Sequence, residues 1–128
     1  MSEEIRDLAL RATQGGAQGF FDLLEEHVVC DNRGHPRPDV AEVIFGREAV
    51  IRGYTTWWGT FEEYSVEAED ITDLGRTAVV RIKERGRGKG SGIPFETEIT
   101  QVWTFRRGQI IHIELFRDHD EALKAAGL

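Results

Sequence analysis

The sequence predicts an α+β domain, with helices in its first half, a run of strands after them and a short helix at the end. Three observations carry this. Apolar residues recur at helical spacing in three stretches before Trp58. From Glu62 to Phe116 the pattern turns to strand-like alternation. Two glycine-marked turns, Lys89-Gly90-Ser91-Gly92 and Arg106-Arg107-Gly108, then divide that second half into hairpins. Segregation of helices from strands is the mark of the α+β class.

The elements follow in order. Ser2 to Thr13 places Ile5, Leu8, Ala9 and Ala12 on one face, with Ser2 as N-cap and acids in the first turn. Gln14-Gly15-Gly16 breaks that helix. Ala17 to Glu26 reads as a second helix burying Phe20, Phe21, Leu23 and Leu24. His27 to Asn32 is a short strand, and Arg33 to Asp39, with its prolines and glycine, is a loop. Gly46-Arg47-Glu48 opens a third helix to about Trp58, with Val50, Tyr54 and Trp57 or Trp58 on one side. Strands are expected over Tyr64 to Leu74 and Arg76 to Lys89, then over the two arms of Phe95 to Phe116, and Asp118 to Ala126 closes the chain as a helix capped by Asp118.

Turn chemistry sets the expected registers. A type II′ turn with Gly90 at the positive-φ position places Arg85 against Glu96 and Lys83 against Glu98 on an outer face. Val80, Ile82 and Glu84 then face inward with Gln101, Ile99 and Thr97. For the last hairpin, a three-residue loop opposes Thr97, Ile99, Gln101 and Trp103 to Arg117, Leu115, Ile113 and Ile111. A two-residue loop would set the apolar positions against His112 and Glu114, since a one-residue slip turns every side chain over. The inward strip is therefore apolar with a few polar groups, as a small-molecule cavity requires. His112 and Glu114 fall outside, on a face suited to subunit contact or to solvent rather than to catalysis.

Composition narrows the function. At 128 residues one domain with one core is expected, spanning 1–128. A net charge of -7 argues against nucleic acid, which needs a basic footprint. No apolar run reaches the ~18 residues of a membrane span, and acids stand where a signal peptide carries bases, so a cytoplasmic location is expected. The lone Cys30 and the lack of clustered Cys and His predict neither a disulfide nor a metal, and no cofactor motif is present. The run RIKERGRGKGSG lacks the spacing of either phosphate-binding glycine fingerprint and reads as a hairpin tip.

Candidate site residues come from the inward strip and the proline loop. Asp31 is the nearest carboxylate for a general base if it turns inward; the alternative is an Asx-type turn. His35, on the loop, could reach the cavity mouth, and Tyr54 offers a hydroxyl. Trp57, Trp58, Gln101, Trp103 and Arg117 are the expected ligand contacts. Gln101 between Ile99 and Trp103 is costly to bury unless a ligand, Tyr54 or water bonds to it.

The element order, the GREAV opening of the third helix, the GRGKGSG hairpin and the ending VWTFRRGQIIHIELFRDHDEALKAAGL resemble the SnoaL-like group of the NTF2-like superfamily. The resemblance implies the ketosteroid isomerase-related, cystatin-like cone: three N-terminal helices packed on a strongly curved antiparallel sheet, an internal cavity, and often a homodimer on the outer sheet face. It implies no single activity, because the superfamily holds isomerases, polyketide cyclases, dehydratases and epoxide hydrolases. Carried over by position, the steroid isomerase tyrosine falls at Leu8, its protonated aspartate at Gln101 and its base at or beside Asn32. The cyclase aspartate falls at Leu115, and the strand Glu98-Ile99-Thr100-Gln101 lacks the epoxide hydrolase pattern. The expectation is a protein that binds a small apolar organic molecule, without an assigned reaction. An isomerase, cyclase or dehydratase using Asp31 or His35 is the first alternative, and an interaction module with a filled pocket is the second.

Overall fold

The computed structural model describes residue 5 and residues 7–10, 16–37 and 40–128. Helix α1 (Gly16–Phe21) leads into strand β1 (Leu24–Asp31). Strand β2 (Val43–Phe45) and helix α2 (Arg47–Trp58) follow. Four long strands come next: β3 (Phe61–Asp73), β4 (Thr77–Gly88), β5 (Pro94–Arg106) and β6 (Gln109–Phe116). Helix α3 (His119–Ala125) ends the chain. The six strands among the described residues form one sheet in the order β2-β1-β6-β5-β4-β3.

The N-terminal half differs most from the expectation. The helix expected over 2–13 lies largely outside the described residues; within it, residues 7–10 are helical and Ile5, Leu8 and Ala9 are buried in the core. The second helix stops at Phe21, and Leu24, Glu25 and Glu26 belong to β1. Ile110 N donates to Leu23 O at 2.7 Å, so β1 is drawn into the sheet from its first residue. An irregularity between Leu24 and Val29 breaks the period of two, which is why LEEHVVCD does not read as one strand. β1 runs parallel to β6, so the sheet is mixed rather than antiparallel, and β2, too short to show a period, pairs on the free side of β1.

The β4–β5 register matches the expectation: Arg85 faces Glu96, Lys83 faces Glu98, Ile82 faces Ile99 and Glu84 faces Thr97. The turn itself is longer than two residues, because Gly88 N bonds Ile93 O at 2.9 Å, while Gly90 has the expected positive φ of 81°.

The last hairpin corrects a prediction. Arg106 pairs with Gln109 across a two-residue loop, with Arg107 at φ 53° and Gly108 at φ 77°, as a type I′ turn demands. That loop should have turned the apolar face outward. A bulge prevents it: Phe105 pairs with Ile110 and Thr104 with His112, leaving Ile111 unpaired. Beyond the bulge Gln101 opposes Leu115 and Trp103 opposes Ile113, two residues away from the expected partners. Ile113 and Leu115 stay inward as expected, while Ile110 takes the buried place expected of Ile111.

Two apolar layers result. The inner face of the sheet packs with α1, α2 and the N-terminal helical residues into the main core. On the outer face, α3 covers Val79 and Val102 with Ala122 and Leu123. Asp118 caps α3 as expected, its Oδ1 accepting from Asp120 N at 2.9 Å.

Candidate functional site

A cavity of about 260 Å³ opens between α1, α2 and the inner face of β3, β4 and β5. Its apolar wall is built by Phe20, Tyr54, Trp58, Trp103, Ile82 and Ile99. Phe20 touches Tyr54 edge-on at 5.1 Å between ring centroids and lies 5.3 Å from the Trp103 ring. Ala17 and Val66, both exposed, mark the rim.

The polar side is held by two groups of hydrogen bonds. In the first, Glu84 is 2% exposed on β4. Arg37 Nη2 donates to its Oε1 at 2.9 Å. Trp57 Nε1 donates to its Oε2 at 3.0 Å, and the Tyr64 hydroxyl donates to the same oxygen. The Arg37 guanidinium lies 4.6 Å from the centre of the Trp57 ring, in cation–π contact. A buried charge tolerates desolvation only when paired and hydrogen-bonded, and these three donors meet that requirement. In the second group Gln101 Oε1 accepts from Trp103 Nε1 at 2.7 Å, with the Tyr54 hydroxyl at a weaker 3.5 Å. Its amide NH2 makes no hydrogen bond among the described residues.

The loop that delivers Arg37 is pinned at its root. Asn32 N donates to Glu42 O at 2.7 Å, Asn32 Nδ2 to Ala41 O at 3.1 Å, and His35 N to Asn32 O at 3.0 Å. Gly34 lies against β6 so closely that a Cβ there would sit 2.0 Å from Leu115 O. Only glycine permits that approach.

The predicted residues divide accordingly. Tyr54, Trp58, Gln101 and Trp103 line the cavity, and Trp57 stands behind its wall on Glu84. Asp31 does not line it. Its carboxylate takes both Nε and Nη2 of Arg33, at 3.0 and 2.8 Å, and the Arg33 backbone N–H at 3.0 Å, the Asx-type turn. Those Arg33 hydrogen bonds hold it below the usual carboxylate range. His35 is half-buried off the cavity wall, with Nδ1 meeting no partner among the described residues. Burial first, and Arg37 second, lower its affinity for a proton. Arg117 is exposed and off the wall, one residue beyond the end of β6.

Sequence reasoning missed Arg37 and Tyr64, and passed over Glu84. The signal for Glu84 was present, since the β4 register put a carboxylate on an otherwise apolar inward strip. Nothing local marks Arg37, a loop residue that meets Glu84 from far along the chain. Burial, with the Glu84 carboxylate beside Tyr64 and Cys30 beside Tyr54, raises both hydroxyls above the usual phenol range, so both stay neutral. Burial likewise pushes the Cys30 thiol up to about 12, which makes it inert. The described residues hold no group of three or more His, Cys, Asp or Glu side chains placed to bind a metal, and no helix among them is long and apolar enough to cross a membrane.

A mixed curved sheet closed over a cavity by short helices defines a cone-shaped α+β protein of the NTF2-like kind. Within that class the chain belongs to the SnoaL-like domain family, whose sequence profile matches residues 5–113. A candidate SnoaL-like polyketide cyclase from Jannaschia sp. CCS1 has a similar structure, with a TM-score of 0.77 and 18% identity over 97% of this chain and 92% of that one. TerC, crystallised with polyporic acid, has a TM-score of 0.73 at 12% identity, covering 94% of this chain and 96% of its own. A ketosteroid isomerase-like fold from Catenulispora acidiphila DSM 44928, in complex with trimethylamine, has a TM-score of 0.69 at 16% identity, covering 98% and 93%. At such identities the likeness is one of fold. No protein of curated function matches the sequence.

Proposed function

We propose that the protein is a single-domain, cytoplasmic binding protein for a compact, mostly apolar organic molecule. The observation that carries this reading is the 260 Å³ cavity, with its aromatic wall and its convergent polar groups at Gln101, Glu84 and Arg37. Its volume is just under the ~300 Å³ at which typical ligand sites begin, which suits a molecule of one ring better than a steroid. Two proteins of similar fold were crystallised with small organic molecules, polyporic acid and trimethylamine, which agrees with this use of the fold.

An enzymatic reading through Asp31 or His35 has less support. Asp31 is occupied by Arg33, and neither residue lines the cavity. Glu84 does line it, yet three donors already take up its oxygens, which leaves little of it for moving a ligand proton. A homodimer through the outer sheet face belongs to the same reading. Since α3 covers part of that face, the contact would use the ladder of Arg81, Lys83, Arg85, Glu96 and Glu98 and weaken with salt. Light scattering at low and high salt tests it; a monomer throughout removes the dimer from the proposal.

The binding reading is tested with one-ring compounds followed by ligand-observed NMR. Truncation of Gln101 and Trp103 should abolish binding. Val66→Trp, at the exposed rim, should block it without unfolding the core, and Asp31→Asn should leave it intact. Unchanged binding in Val66→Trp and in the truncations would remove the cavity as the site.

A further inference from the structure

The polar end of the cavity carries its own selectivity, set by charge and by donors. Arg37 and Glu84 both line the cavity and form a buried pair, their side chains 4% and 3% exposed. One positive and one negative charge cancel there. An anionic or cationic ligand would therefore add an unbalanced charge to a largely apolar site. A neutral ligand adds none.

The donors are in surplus. A guanidinium has five N–H groups. Glu84 engages only Nη2, because its other oxygen is turned to Trp57 and Tyr64. Arg37 Nε is buried and meets no acceptor among the described residues. The Gln101 NH2 group, on the same cavity, is likewise not engaged there. The Tyr54 and Tyr64 hydroxyls direct their protons at Gln101 and Glu84 rather than at a ligand. A buried donor left without an acceptor is costly, and the Gln101 NH2 on the same cavity is open as well, so the partner this end lacks is an acceptor.

We propose that Arg37, held by Glu84 and by the face of Trp57, is the polar anchor of the cavity, and that its ligand is an uncharged ring compound bearing a hydrogen-bond-accepting oxygen. This deepens the binding reading and rests on it. Glu84 serves as a positioning residue: it cancels the charge of Arg37 and fixes the guanidinium, while the ligand oxygen meets the N–H groups that Glu84 leaves open.

The test compares four probes of similar size with the intact protein: toluene, acetophenone, benzoate and benzylammonium. Acetophenone should bind at least about tenfold tighter than toluene, a difference of ~1.4 kcal/mol. Benzoate and benzylammonium should each bind at least tenfold more weakly than acetophenone. In the double variant Arg37→Met with Glu84→Gln the ratio of acetophenone to toluene affinity should fall to about one. Should that variant not fold, the Arg37 guanidinium Nη–H resonances of the native protein give an independent readout, moving downfield, as hydrogen bonding requires, with acetophenone and not with toluene. Equal affinity for toluene and acetophenone overturns the anchor and leaves the cavity reading standing. Tightest binding of benzoate or benzylammonium overturns the neutral-ligand claim. If no probe binds, the cavity reading fails and this inference falls with it.

Discussion

Arg37 and Glu84 stand 47 residues apart in the sequence and meet at 2.9 Å inside the protein. The pair ties the loop after β1 to the inner face of β4 and closes one side of the cavity. Removing one partner leaves the other charge buried and unpaired. Arg37→Ala should therefore cost about 3–5 kcal/mol in urea unfolding, whereas Arg37→Met with Glu84→Gln should lie within ~1 kcal/mol of the native protein. A single variant as stable as the double would show that the pair is not buried as described.

Gly34 controls whether that loop can reach its place. A methyl group there would meet the Leu115 carbonyl oxygen at 2.0 Å and its carbon at 3.1 Å, both backbone atoms that cannot turn aside. Gly34→Ala should cost about 1–3 kcal/mol and weaken probe binding by displacing Arg37. Native-like melting and binding would mean that the loop does not lie against β6.

The last hairpin carries strain in a residue that is not glycine. Arg107 sits at φ 53°, a conformation that costs an ordinary residue roughly 1–2 kcal/mol and that asparagine adopts more readily. Arg107→Asn should raise the stability by about 0.5–1 kcal/mol, measured as a higher urea midpoint with an unchanged slope. A loss of stability would argue against the two-residue turn.

Cys30 supplies a pH signature. Burial raises its thiol from an ordinary 9.0 to about 12, so the folded protein keeps a proton that the unfolded chain releases earlier. The stabilisation is complete below pH 9 and is lost as pH rises toward 12. Between pH 9 and 11 the native protein should lose stability faster than Cys30→Ala, by up to ~1.4 kcal/mol per pH unit. Parallel profiles for the two proteins would refute the assignment. The thiol should also resist an aromatic disulfide reagent at pH 8 until the protein is denatured.

The fold was legible where short-range chemistry decided it. The β4–β5 register followed from its glycines and charge pairs, and the cap of α3 followed from Asp118. Gln101 and Trp103 were placed on the cavity wall by alternation alone. The site was less legible because its polar half is assembled across the chain. A carboxylate on an apolar strip was visible in Glu84, but its partner could be found only in three dimensions.

For the hairpin from Pro94 to Phe116, the sequence by itself determined, through its period of two, that Ile99, Gln101, Trp103, Ile113 and Leu115 face inward, but not that Ile110 would take the buried place expected of Ile111 or that Arg117 would lie off the wall. The tertiary structure decided how the backbone achieves it. A two-residue turn with a bulge at Ile111 gives the same face as the longer loop, and local propensity cannot separate them. The same division holds at the site. Alternation specifies a wall of aromatic and aliphatic groups, but the parallel pairing of β1 with β6 and the seat of Gly34 on Leu115 O carry Arg37 to Glu84. Those are contacts between distant segments, whose energy appears only once the sheet has closed.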